Sequence, residues 1–391
     1  MPRISENRVK ALIGLLRRVR SESRGLKRGI QQGHGFPVLL RGFVQIPDGR
    51  SGLKRNIQQL GHCAAHKVGN DPVRQGKAIV HPVCGMGYLA SRAESFFRRL
   101  LSCPFPPDTE GGSPLREGLA GLLAGLAVIL PPAVIAWSLT ALAGYSGTAG
   151  GFAMAAVSVW LCLAPVSLAR HALRVRDAAE AGKTGEARKA VSMIVGRDTS
   201  LLDMHGVCRA CVESVAENLT DGVLCTLFWA MAGGLIAGFP GAAALAMAER
   251  ATSTLDALWG RRDRRYRHFG TFGARLDDVF TYLPARLALP AISLAAFSVK
   301  ASPAAVFRTG WRFRHAHESP NSAWSEAPFA AALGLRLGGP AVYAGMKRDH
   351  PWLGTGTPDA ASGHISLAVR LMWASVIIFT LASSLVLASF S

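Results

Sequence analysis

The sequence predicts an all-α, polytopic integral membrane protein with broken or re-entrant apolar helices and helical cytoplasmic connections. Mean hydropathy is positive, +0.23, although the formal net charge is +19. The two coexist because the apolar residues come in blocks. No charged residue occurs from Gly118 to Ala169, from Val223 to Ala248 or from Leu371 to Ser391, and Val279 to Val299 contains only Arg286. A bilayer-crossing helix needs roughly 20 mostly apolar residues. The basic residues fall between the blocks, as the excess of Lys and Arg in cytoplasmic loops requires.

Taken in order, the 118–169 block is too long for one helix, and "GYSGTAGG" (144–151) supplies the turn of a helical hairpin. Its first arm carries Pro131-Pro132, tolerable in a membrane helix whose neighbours satisfy the freed carbonyls. The last block reads as a single C-terminal span. Between them, "RHALRVRDAAEAGKTGEARKAVSMIVG" predicts a helix over about 170–194 broken near Gly182–Gly185. A second helix is expected from a capping box at Ser200-Leu-Leu-Asp203 to about Leu219. "GKT" (182–184) lacks the earlier glycine and the preceding strand of a phosphate loop, so it reads as a helix–helix turn.

Before these elements the chain is different. Residues 1–65 are basic, carry "GLKRGIQQ" (25–32) and "GLKRNIQQ" (52–59), and contain no sustained apolar run. They read as a disordered, atypical extension without catalytic residues. "ALIGLLRRVR" (11–20) is the one candidate there for a surface amphipathic helix. Cys208 and Cys211 have C-x-x-C spacing, which suits redox or metal chemistry, but no second pair or histidine cluster accompanies them. Small helix-packing residues are the simpler reading. No basic groove interleaved with aromatics marks a nucleic-acid partner. Anionic substrates fit the positive charge.

Chemistry concentrates in the polar connections. In "ESVAENLTDG" (213–222), Glu213, Glu217 and Asp221 recur every fourth residue and share one helix face. Such a stripe is usually solvated, yet this one abuts an apolar block. Five arginines fall between 261 and 267, and "ARLDD" follows at 274–278. Adjacent aspartates beside arginine suit Mg²⁺ with a phosphate, or equally a salt-bridged helix end. "HESPNSAWSEAPFAAALGLRLGGP" (317–340) adds Asn321 and Glu326 in a polar loop.

Three stretches carry a family resemblance: "VGRDTSLLDMHGVCRACVESVAENLTDGVLCTLFWA", "TSTLDALWGRRDRRYRHFGTFGARLDDVFTYLPARL" and "SPNSAWSEAPFAAALGLRLGGPAVY". In this order they resemble the signature blocks of the adenosylcobinamide-phosphate synthases of cobalamin biosynthesis. The likeness covers roughly 115–390. "GNDP" (69–72) and "HPVCGMG" (81–87) are similar to the family's start, so 66–117 reads as a family-like amino-terminal segment lacking the usual first membrane helix. Residues 118–391 read as the membrane-embedded synthase domain.

The resemblance implies an ATP-dependent ligase that joins (R)-1-amino-2-propanol or its O-phosphate to adenosylcobyric acid through an amide bond. ATP and Mg²⁺ enter as cosubstrate and ion, with no tightly bound cofactor. It implies Glu213, Glu217, Asp221, Asp277 and Asp278 as acid–base candidates, with Glu217, Asp221, Asp277 and Asp278 as Mg²⁺ ligands. Arg197, Arg261, Arg262 and Arg275 are the phosphate-holding candidates, and Asn218, Asn321 and Glu326 the substrate-positioning ones. Membrane lipid, and other membrane proteins of a cobalamin assembly, are the expected partners, in a bacterial inner membrane with the site facing the cytoplasm. A transporter, or a non-catalytic membrane partner of such an assembly, is the alternative. ATP use on one face requires 223–248 to turn back on itself at Gly233-Gly234 and "GFPG" (238–241). The 279–299 block, with Pro284 and Pro290, is the second candidate for such a turn.

Overall fold

Long apolar runs with few breakers dictate long helices, and the glycine and proline positions decide where they end. The computed structural model describes residues 82–103, 113–261, 263–343 and 346–390. The readings made for residues 1–65, the "GNDP" stretch and Arg262 lie outside the described residues. Helix α1 (Pro82–Leu100) precedes α2 (Pro114–Gly144) and α3 (Thr148–Cys162), then α4 (Pro165–Glu180) and α5 (Thr184–Val191). Helix α6 (Met204–Leu219) passes through one π-helical turn (Thr220–Leu224) into α7 (Cys225–Trp259). Helix α8 (Thr271–Ala295) ends in a 3₁₀ turn (Ala296–Val299), and α9 (Pro303–Phe313) and α10 (Ala323–Ala332) follow. Short antiparallel pairs, β1 (Leu337–Gly338) with β4 (Trp352–Leu353) and β2 (Ala341–Tyr343) with β3 (Met346–Arg348), lead into α11 (Ser362–Phe390). Among the described residues, five stretches are long and apolar enough to cross a membrane: 114–144, 148–180, 204–259, 271–299 and 362–389. The chain is an all-α, multi-pass membrane protein.

The hairpin expected at 144–151 is present, its turn set by Gly147 at φ +111°, and α2 runs unbroken through Pro131-Pro132. The break at Gly182 (φ +68°) separates α4 from α5, so "GKT" is a helix–helix turn. The start of α6 lies later than Ser200: Asp203 is the N-cap, its carboxylate accepting from Gly206 N at 2.7 Å. Aspartate is the better cap because its carboxylate also meets the positive end of the helix dipole.

The 223–248 block does turn back on itself. Ala237 and Gly238 leave helical geometry inside α7, Gly238 at φ +64°. Residues symmetric about that point then meet. Gly233 lies so close to Gly241 that a methyl group on either would collide with the other's carbonyl. Further along, Thr226 Oγ1 donates to Glu249 Oε2 at 2.6 Å, and Arg250 Nη2 to the carbonyl of Gly222 at 3.0 Å. Glycine is required where two backbones approach this closely. The 279–299 block, by contrast, contains no such turn: α8 continues through Pro284 and Pro290 to Ala295, and the reversal waits for Lys300 at φ +60°.

These contacts give the bundle two unlike ends. Phe152, at the start of α3, packs edge-on against Phe239 at the α7 turn, 5.8 Å between ring centres. Leu387, near the end of α11, packs over Gly234. The α2–α3 turn, the α7 turn and the end of α11 are therefore uncharged and share one end. At the other end Arg176 of α4 reaches Ser366 (3.4 Å) and His205 of α6 reaches the carbonyl of Ala360 (3.1 Å). Among the described residues the two largest buried clusters hold the bundle: one joins α1, α2, α3 and the second arm of α7, the other α4, α5, α6, the later part of α8, α10 and α11. Leu130, Val134, Trp137, Trp160, Leu381 and Leu385 point outward, as lipid-facing residues do and water-facing ones rarely do. Cysteines placed at Tyr145 and at Lys183 should react with impermeant maleimide from opposite faces of sealed vesicles, beyond the labelling of the parent chain. Modification of both from one face would refute this arrangement.

Candidate functional site

The acidic stripe does not act as one face. Four residues turn an α-helix through 400°, so each acid drifts about 40° from the last, and the π turn adds a further rotation before Asp221. Glu213 is accordingly buried, Glu217 exposed and Asp221 half-buried. Glu213 is a tie rather than an open acid. Its carboxylate accepts from Arg197 Nη2 and from Gly338 N (2.8 Å), with Arg209 Nε at 3.9 Å. It fastens α6 to the 192–203 connection and to β1. Arg209 and Arg336 lie over the ring of Trp352 at 5.2 and 4.7 Å, and Gly339 (φ +77°) leaves room for that ring. Asn218 is half-buried and donates back to the carbonyl of Ser214 at 2.8 Å.

Glu326 on α10 is almost fully buried, and no described residue donates a hydrogen bond to its carboxyl. Burial first, then the charges of Glu217, Glu213 and Asp221, push its pKa well above the ordinary carboxylate range, against the opposing pull of Arg197. These five ionisable groups from α6, the π turn, α10 and the 192–203 connection are electrostatic neighbours. Its sign gives an expected result. A raised folded-state pKa contributes stability below the unfolded value and loses it as pH rises through the folded value. The thermal stability of wild type should therefore fall, relative to Glu326→Gln, as pH rises from the ordinary carboxylate range. The opposite trend would mean that the carboxylate is ionised and paired.

His317 sits in the same neighbourhood and was not among the residues singled out in the sequence. Ser319 N donates to its Nδ1 at 2.9 Å, and its ring stacks on His350 with 6.3 Å between centres and 7° between planes. Burial lowers its pKa; Glu217 and Glu318 oppose this, and His350 adds to it. The ring is thus held neutral, with Nδ1 as acceptor and the proton on Nε2.

Asp277 and Asp278 are half-buried in the early turns of α8, and Arg275 beside them is exposed. The two acidic segments share one end of the bundle. The thiol of Cys225 donates to Phe280 O at 3.5 Å and lies 3.9 Å from Thr281 Oγ1, and it feels the charges of Asp221, Asp277 and Glu249 alike. Asp221 precedes Cys225 by four residues, and Asp277 precedes Phe280 and Thr281 by three and four. Asn321 is buried and both of its amide atoms are engaged: Oδ1 accepts from Arg286 Nη1 (2.9 Å) and Nδ2 donates to Asp278 O (3.0 Å). Arg286 in turn lies over Tyr282 and Trp324, at 3.4 and 4.9 Å. Arg261 is exposed at the end of α7. Arg265, from the same basic run, is tied to Glu94 of α1 at 3.0 Å, where Arg98 also binds at 3.1 Å, so this part of the run docks α1. Cys208 and Cys211 are fully buried among apolar neighbours.

Beneath Asp221 lies a feature with no clear sequence signal. Arg250, almost fully buried, donates from Nη2 to Thr226 Oγ1 (2.6 Å) and to the carbonyls of Gly222 (3.0 Å) and Asp221 (3.4 Å), with Glu249 3.6 Å away. A π turn leaves carbonyls without their usual partners, and this guanidinium supplies them.

Among the described residues no three of His, Cys, Asp and Glu converge tightly enough to hold a metal alone. Magnesium on a nucleotide takes only one or two carboxylates together with phosphate oxygens and water. The hard oxygen donors Glu217, Asp221 and Asp277 at one end of the bundle suit that demand.

Comparison with known proteins agrees with the blocks quoted above. The family model described as CobD/Cbib protein matches residues 69–372. The cobalamin biosynthesis protein CobD of Klebsiella pneumoniae subsp. pneumoniae is 40% identical over 310 residues, covering 79% of this chain and 89% of the relative. The cobalamin biosynthesis protein CbiB of Salmonella typhimurium is 39% identical over 309 residues, covering 79% and 90%. No solved structure matches. With three quarters of its length under one family model and these relatives at such identity, the chain belongs to the CobD/CbiB family.

Proposed function

We propose that this protein acts in cobalamin biosynthesis as the ligase that joins (R)-1-amino-2-propanol, or its O-phosphate, to the free carboxylate of adenosylcobyric acid at the cytoplasmic face of a bacterial inner membrane. The observation that carries the reading is that Glu217, Asp221 and Arg197 are electrostatic neighbours of Glu326, while Asp221 and Asp277 both act on Cys225, at one charged end of a bundle whose opposite turns are uncharged. The excess of Lys and Arg at the charged end favours a cytoplasmic orientation, where ATP is available.

The chemistry is carboxylate activation followed by amine attack. The substrate carboxylate takes the γ-phosphoryl group of ATP, giving an acyl phosphate and ADP. The neutral amine adds to the acyl carbon, the C–N bond forms, the C–O bond breaks and inorganic phosphate leaves. One proton is lost from the ammonium before attack, and a second leaves the attacking nitrogen as the C–O bond breaks and goes with the departing phosphate. Bound magnesium would neutralise charge on the nucleotide phosphates. Of the chain's own groups, Glu217, Asp221 and Asp277 would hold the metal nucleotide, while Arg275 and Arg261 face the phosphates. Glu326, whose burial favours the protonated carboxyl, would donate a hydrogen bond to substrate. His317, with Nδ1 occupied by Ser319 N and its proton on Nε2, is suited to donate a hydrogen bond to substrate, which leaves the Asp278 carboxylate to take the ammonium proton.

Purified full-length protein in lipid nanodiscs, supplied with adenosylcobyric acid, either aminopropanol, ATP and Mg²⁺, should form the amide and release ADP in equal amounts. Protein that binds corrinoid but forms no amide with any nucleotide would sink the reading in favour of transport or assembly.

A further inference from the structure

From Val279 to His317 the chain contains no acidic residue, while Arg286, Lys300, Arg308, Arg312 and Arg314 are all basic. Helix α9 lies within this stretch. Its inner side is anchored: Val306 and Gly310 are buried, and Gly310 packs so closely on Leu289 and Pro328 that a methyl group would collide with them. Its outer side is unusual. Phe307 and Trp311 are 41% and 49% exposed, and their rings lie parallel, 10° apart, with centres separated by 6.2 Å. Arg308 and Arg312, one position further round the helix, are exposed as well. Arg314 lies over the Trp311 ring at 4.3 Å and also donates to Trp311 O, which fixes that ring on the helix. The aromatic stripe adjoins a chain segment already turned outward, since Phe297 in the preceding 3₁₀ turn is 72% exposed.

Exposed aromatics flanked by arginines, without a carboxylate to neutralise them, match one environment closely. A headgroup layer offers apolar chains below and phosphates at the same level, and indole rings favour that boundary. We infer that the outer face of α9 docks on anionic phospholipid, with Phe307 and Trp311 in the acyl boundary and Arg308 and Arg312 on lipid phosphates. Because α9 runs directly into the loop that carries His317 and Asn321, the lipid contact would also fix one border of the candidate site.

The test uses the full chain in nanodiscs of phosphatidylcholine, with or without phosphatidylglycerol, whose acyl chains are brominated near the headgroup. Wild-type tryptophan emission should be quenched more than that of Trp311→Phe, and the difference should grow when phosphatidylglycerol is present. Arg308→Glu with Arg312→Glu should abolish that growth, and the milder Arg308→Gln with Arg312→Gln should reduce it in protein that remains folded. Equal quenching of wild type and Trp311→Phe would overturn the inference. So would a difference indifferent to phosphatidylglycerol, or Trp311 emission quenched by aqueous acrylamide but not by lipid, which would point to a soluble partner. None of these readouts depends on ligase activity.

Discussion

Replacing Arg250 with Met is expected to destabilise the protein by about 3–5 kcal/mol, the usual cost of removing one partner from a buried charge network. Arg250 is 4% exposed and Glu249 1%, so solvent cannot replace the lost contacts. The single change strands the Glu249 carboxylate and uncovers the carbonyls of Asp221 and Gly222 in the π turn. Arg250→Lys should recover only part of the loss, because one ammonium cannot copy the planar fork that spans Thr226 and both carbonyls. Thr226→Val should cost roughly 1–3 kcal/mol, the penalty for unpaired buried polar atoms. Combining Glu249→Gln with Arg250→Met should restore more stability than the separate effects allow, since the uncompensated charge is then gone. Thermal unfolding in detergent measures all four. An Arg250→Met variant within about 1 kcal/mol of wild type would remove this cluster from any account of how the α7 hairpin is held.

That cluster also marks where sequence reading stops. Block lengths and breakers revealed the membrane helices, the 144–151 turn and the reversal near residue 237, because they depend on composition over a dozen residues. Glu249 and Arg250 look in the sequence like the charged border of an apolar block. Only the reversal at Ala237–Gly238 brings them back against Thr226 and the π turn, 23 to 28 residues earlier. Asn321 looked like a substrate contact, yet its amide bridges Arg286 and Asp278 across 35 and 43 residues. Pairings of that separation follow from tertiary packing and leave no periodic trace. The acidic stripe was half legible. Helical drift alone separates Glu213 from Glu217, but nothing local foretold that Gly338, 125 residues on, would close over Glu213.

The split within the stripe separates an exposed acid from a buried one, and the second large effect follows from it. Glu217→Gln should leave folding within about 0.5 kcal/mol of wild type, as exposed surface changes do. Ligation should fall by roughly 10²–10³ in kcat/KM, the range for losing one electrostatic contributor at a reacting phosphoryl or acyl centre. Asp277→Asn should act likewise, because Asp277 also lies at the border of the polar end rather than in its interior. Glu213→Gln should fail differently. It weakens the tie to Arg197 at a buried carboxylate that also receives Gly338 N, so its loss should appear first as lower melting temperature and poorer yield. Measuring activity per folded molecule distinguishes the cases. Should Glu217→Gln and Asp277→Asn both turn over near the wild-type rate while Glu213→Gln alone is impaired, the acids would be framework, and the catalytic groups would have to be sought around Glu326 and His317 instead.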